Sequence, residues 1–141
     1  MTNIDFYFNA SNVHSVAQRL ISKAIATKQT VVVCGAESDL QAFDSYLWAF
    51  DPVSFIPHGF AGSSIAEQTP VLLSSTLADL PQSHDGLLIH ISLTVPSLFS
   101  RFERVLELVG IDEPSKIAGR DRFKHYKSRG YPMKMFDLAK P

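Results

Sequence analysis

Apolar positions along this chain change period several times, and each change predicts a switch between strand and helix. Ile4 to Phe8 (IDFYF) is a compact apolar run of strand character, followed by Asn9, Ser11 and Asn12 as candidate helix N-caps. Val13, Val16, Ala17, Leu20, Ile21, Ala24 and Ile25 then recur at i, i+3, i+4 and i+7 spacing, one apolar stripe on a helix. Thr30 to Cys34 (TVVVC) is β-branched at nearly every position with no polar alternation, as in a strand covered on both faces. Ser38 to Phe50 returns to helical spacing through Leu40, Phe43 and Leu47, with Ser38 or Asp39 as its cap.

Pro70 to Ser74 and Gly86 to Ser92 predict two further strands, separated by the turn-rich segment Pro81 to Gly86. Leu98, Phe99, Phe102, Val105, Leu106 and Val109 fall at spacings that predict another amphipathic helix. A last helix is expected over Glu113 to Arg129, stopping at Gly130, with a short strand around Met133 to Leu138 after Pro132. Short connections in βαβα order predict an α/β fold, an open and mostly parallel sheet with helices above and below it.

The totals narrow the class. A chain of 141 residues, 45% hydrophobic and 19% charged, suits one globular domain spanning residues 1–141. A net charge of -1 argues against a field built to wrap nucleic acid, though a local basic patch is compatible with it. The opening MTNIDFYFNA lacks a basic segment followed by an apolar run, and no stretch approaches a membrane span, so a cytoplasmic location is expected. Cys34 is the sole cysteine, at the end of a buried strand, which excludes an internal disulfide and a thiolate zinc site and favours a small core residue.

Catalytic signatures are missing. The turns NASNVHS and CGAESD contain neither GxGxxG nor GxxxxGK[ST], and Glu37 and Asp39 would repel a phosphate at the second. No GxSxG elbow is present, and His14, His58, His84, His90 and His125 show no metal-binding spacing. No cofactor or metal is expected. The balance favours a binding module over an enzyme; the alternatives are a small-molecule or nucleotide-binding domain, with any activity centred on His58 or Cys34, and direct nucleic-acid binding through Arg120 to Lys127.

Two stretches suit partners. In LWAFDPVSFIPHGFAG (Leu47 to Gly62) the aromatics follow a helix end, and Pro52, Pro57, Gly59 and Gly62 stiffen and turn the segment, which fits either core folding back or a docking patch. On the last helix Lys116, Arg120, Phe123 and Lys127 share one arc with Lys124 beside it. That face fits an acidic peptide ending in an apolar residue, or else a solvated basic face with Phe123 turned into the core.

The segments Leu47-Trp48-Ala49, Ser54-Phe55-Ile56-Pro57-His58 and Ala61-Gly62, together with Arg120-Asp121-Arg122-Phe123-Lys124-His125-Tyr126-Lys127 and Gly130-Tyr131, resemble the chi subunit family of bacterial DNA polymerase III. The resemblance covers essentially the whole chain. It implies a non-catalytic adaptor of three-layer α/β fold without a phosphate loop, bound to the psi subunit and through it to the clamp loader. It also implies capture of the acidic, phenylalanine-ended C-terminal tail of single-stranded DNA-binding protein, with nucleic acid met only indirectly and no membrane contact. The matching positions are Trp48, Phe55, Pro57 and His58 for psi, and Lys116, Arg120, Phe123, Lys124 and Lys127 for the tail, with Arg120 the principal cation. Phe123 stands where the family often has tyrosine, so that hydroxyl is absent.

Overall fold

The computed structural model describes residues 2–50 (at Phe50 the backbone alone), 57–62, 66, 69–78 and 80–139. Its elements are β1 (Asn3–Ala10), α1 (Val13–Ala26), β2 (Val31–Cys34), α2 (Glu37–Phe50), β3 (His58–Phe60), β4 (Val71–Ser74), β5 (Leu87–His90), β6 (Arg104–Gly110), α3 (Glu113–Ser128) and β7 (Met133–Asp137). The strands form one open, all-parallel sheet in the order β3-β4-β2-β5-β6-β1-β7, so β3 and β7 are its two edges. This is the expected α/β class.

Alternation along the strands divides the core into two layers. Val31, Val33, Val71, Leu73, Leu87 and Ile89 face α1 and α2, meeting Ala17, Ile21, Leu40, Phe43 and Leu47. Val32, Cys34, Leu88, Val105 and Val109 face the other way, toward Tyr126 of α3 and toward Phe99 and Phe102 of the segment before β6. Every residue of β2, β4 and β5 is buried, which is why their sequences show no polar alternation.

Local chemistry ends the helices. Asn12 caps α1 by accepting a hydrogen bond from the Ser15 amide at 3.0 Å, and Asp112 does the same for α3 through the Ser115 amide at 3.1 Å. At the end of α3, Gly130 adopts φ 79°; its amide bonds the Lys127 carbonyl and the Tyr131 amide bonds the Tyr126 carbonyl, a Schellman closure. Helix α2 starts at Glu37, so Ser38 and Asp39 lie inside it and are not its caps.

The helix expected through Leu98 to Val109 does not form. Phe99–Arg101 is a single 3-10 turn, entered by Leu98 at φ 67°, and the rest is strand β6. Val105 and Val109 face α3 while Leu106 and Leu108 face α1, so a run buried on both sides mimics helical spacing. A surface helix would expose part of this set, whereas full burial is worth roughly 1.5–3 kcal/mol per side chain. Strand β3, at the edge beside β4, falls inside a stretch that sequence alone reads as a connector.

Between Val105 and Val109 stands Glu107, fully buried against α3. Its Oε1 accepts from His90 Nδ1 at 2.6 Å and from Arg122 Nε at 3.1 Å, and its Oε2 accepts from the Tyr126 hydroxyl at 2.6 Å. Arg122, itself buried, gives a further hydrogen bond to the Leu93 carbonyl at 3.0 Å. Burial alone pushes the Glu107 carboxyl up, but His90, Arg122 and Tyr126 together hold it below its ordinary range.

A carboxyl that titrates below its unfolded value, about 4.3, stabilises the fold above that pH and loses the contribution as pH falls through the folded value. Urea unfolding is expected to show Glu107→Gln destabilised by about 3–5 kcal/mol, because Arg122 keeps a buried charge without its counter-ion. Tyr126→Phe, which removes one bond to the carboxylate, is expected to cost about 1.5–3 kcal/mol. Equal stability of Glu107→Gln and the unaltered protein would contradict this account of the cluster.

Candidate functional site

Helix α3 crosses the sheet beside β6, β1 and β7, and the trough between them is a groove of about 640 Å³. Apolar side chains from Phe6, Phe8, Val109, Phe123 and Met135 line it, and Lys116, Arg120, Lys124 and Lys127 stand along the helix side. All five positions singled out on the last helix are therefore brought to one site. Gly119 helps set its depth: a Cβ there would lie 3.0 Å from both methyl groups of Val109, so glycine lets α3 settle this close to β6 without displacing that side chain.

Phe123 does both of the things expected of it as alternatives. It is half-buried, edge-on to Phe6 with centroids 5.8 Å apart, while its ring also walls the groove. Lys127 Nζ lies 5.9 Å from that ring, a cation–π distance. Arg120 is exposed, so its guanidinium is available for bidentate contact with a carboxylate. The arrangement offers apolar surface below and positive charge above, in a chain whose total charge is slightly negative.

Asn9, read from sequence as a candidate helix cap, lines the groove instead. The pairing of β1 with β6 shifts register between Tyr7 and Ala10, and Asn9 sits there at φ 60° with its amide donating to Asp137 at 2.8 Å. Asparagine tolerates the left-handed conformation better than most residues, and this was the available signal. Met135 was likewise not singled out, since its place follows only from the pairing of β7 with β1.

The other predicted patch lies at the opposite edge. Trp48, in the last turn of α2, is 54% exposed and packs on His58 of β3 with ring centroids 4.8 Å apart. His58 bonds Asp44 through Nε2 at 2.9 Å, and its side chain is almost wholly covered. Pro57 is exposed, as is Phe60 at the end of β3, whereas Phe55 lies outside the described residues. The exposure of Trp48 separates it from the core, to which Leu47 and Phe43 belong.

The remaining histidines are dispersed. His14 packs beside Phe43 and Tyr46, His84 donates to the Thr69 carbonyl at 2.6 Å, and His125 lies on α3. Among the described residues no group of three or more His, Cys, Asp or Glu is placed to hold a metal, and no helix is long and apolar enough to cross a membrane. Burial and the nearby Glu107 charge push the Cys34 thiol up to about 11, which keeps it protonated and poorly nucleophilic.

Known proteins align with this chain along nearly its whole length. Residues 1–134 match the family described as DNA polymerase III chi subunit, HolC. A DNA polymerase III subunit chi from Pseudomonas aeruginosa is 37% identical over 139 residues, covering 94% of each chain. Proteins of the same name from Escherichia coli and Haemophilus influenzae are 26% identical over 140 residues and 28% identical over 104 residues. The former alignment covers 93% of this chain and 95% of its relative, the latter 74% and 72%. With a family match of this extent, the chain belongs to the chi subunit family of DNA polymerase III, accessory rather than catalytic chains of the replication machinery.

Proposed function

We propose that this chi-family chain is a cytoplasmic, single-domain adaptor whose α3 groove takes the acidic C-terminal tail of single-stranded DNA-binding protein, and whose α2–β3 edge pairs with psi to reach the clamp loader. The observation that carries the first half is the pairing of an apolar-lined trough with Lys116, Arg120, Lys124 and Lys127. A tail ending in phenylalanine would seat its ring against Phe6, Phe123 and Met135, while its terminal carboxylate meets Arg120. Exposed Trp48, held against His58, which Asp44 fixes in turn, supplies a rigid aromatic anchor for the second half.

The two surfaces sit at β7 and β3, the two ends of a seven-stranded sheet. Six inter-strand steps of about 4.8 Å separate them, on the order of 30 Å, so both partners can be held at once.

Titration calorimetry with an acidic peptide tests the groove. Removing the peptide's terminal phenylalanine is expected to weaken binding severely, and Arg120→Ala by about 1.5–3 kcal/mol with the fold intact. Unchanged affinity in both cases would reject the site. At the other edge, Trp48→Ala is expected to weaken psi binding by about 2 kcal/mol or more while tail binding stays the same. Loss of folding in Trp48→Ala would instead make Trp48 a structural residue.

A further inference from the structure

A second cavity, of about 240 Å³, lies at the carboxyl ends of β2, β4 and β5 and shares no lining residue with the α3 groove. The connection from β2 runs toward the β3 edge and that from β5 toward the β7 edge, so the cavity occupies the point where the strand order reverses. Open parallel sheets bind ligands at such crevices, which gives the place a geometric reason independent of the groove.

Cys34 and His90 belong to its floor, as register partners on β2 and β5. His90 is 1% exposed, and its Nδ1 is committed to Glu107. Among the described residues its Nε2 has no hydrogen-bond partner, yet no buried side-chain nitrogen or oxygen among them lacks one. That nitrogen is therefore not sealed in the core but opens onto the cavity His90 lines. Ser75, Ser92, Thr94 and Ser97 also line it, and among the described residues none of their hydroxyls forms a hydrogen bond within the protein.

The lining has a definite chemical character. Among the described residues it contains no Lys, Arg, Asp or Glu, and burial keeps the Cys34 thiol neutral. A charged ligand would lose its hydration there without a counter-charge, and Glu37 and Asp39, in the first turn of α2 just beyond Gly35, further disfavour phosphate. An apolar ligand would leave the hydroxyls and the imidazole nitrogen unpaired. The volume is below that of most drug-sized sites, so the occupant is small.

We infer that this crevice binds a small neutral polyhydroxylated molecule of about pentose size, with one ligand hydroxyl donating to His90 Nε2 and others bonded to Ser92, Thr94 and Ser97. The inference goes beyond the adaptor reading and stands or falls apart from it.

D-ribose, titrated into the ¹⁵N-labelled full chain, is the probe. Saturable shifts are expected at the Gly35, Ser75, Ser92 and Thr94 amides and at the His90 ring nitrogens, while the groove residues Asn9, Lys116 and Met135 stay unmoved. The double substitution Thr94→Val and Ser97→Ala lies at the exposed rim and leaves the Glu107 cluster untouched. It is expected to weaken binding about tenfold or more, the effect of losing one or two hydrogen bonds. Absence of saturable shifts with ribose, or equal affinity in the double variant, overturns the proposal. Survival of acidic-peptide binding in that variant keeps this outcome separate from any failure at the groove.

Discussion

An ionised carboxylate buried under a helix is expensive unless every oxygen is answered, and Glu107 is answered from two directions. His90 approaches from the neighbouring strand, and Arg122 and Tyr126 from α3. Such a cluster contributes less net stability than its hydrogen bonds suggest, since desolvation offsets much of the gain. What it does impose is position, because α3 cannot slide or rotate without stranding a charge. Tyr126 extends the constraint into the apolar layer, edge-on to Phe6 and Phe99.

The consequence appears one turn of helix away. With Arg122 and Tyr126 turned to the sheet, Arg120, Phe123, Lys124 and Lys127 fall on the side that faces β1 and β7. Gly119 then permits the close approach to Val109 that shapes the groove. At the far edge a smaller device has the same logic: Asp44 fixes His58, and His58 supports Trp48. On the proposed adaptor reading, each aromatic contact surface is held by a polar anchor behind it, and the sheet between them acts as a spacer.

Much of this was legible in the sequence because the signals were local. The stripe from Val13 to Ile25, the β-branched run at Val31 to Cys34 and the stop at Gly130 each rest on neighbouring residues, and each element formed. The arc of cations on α3 was visible for the same reason, one helix carrying its own geometry. The failures depended on the sheet. Val105 to Val109 has helical spacing because both faces of β6 are covered, with Glu107 buried in its midst. Neither its partner His90 nor the roles of Asn9 and Met135 in the groove could be assigned without strand order, and the pairing of Asp44 with His58 required β3.

The central claim is that the trough anchored through Glu107 is where an acidic, phenylalanine-ended peptide docks. Mapping amide shifts of the ¹⁵N-labelled chain on adding that peptide tests it most directly. The account predicts shifts concentrated at Asn9, Lys116, Gly119, Arg120, Phe123, Lys127 and Met135, with Trp48, His58 and Phe60 silent. Shifts centred on Trp48 and Phe60, or scattered over the surface without saturation, would contradict it.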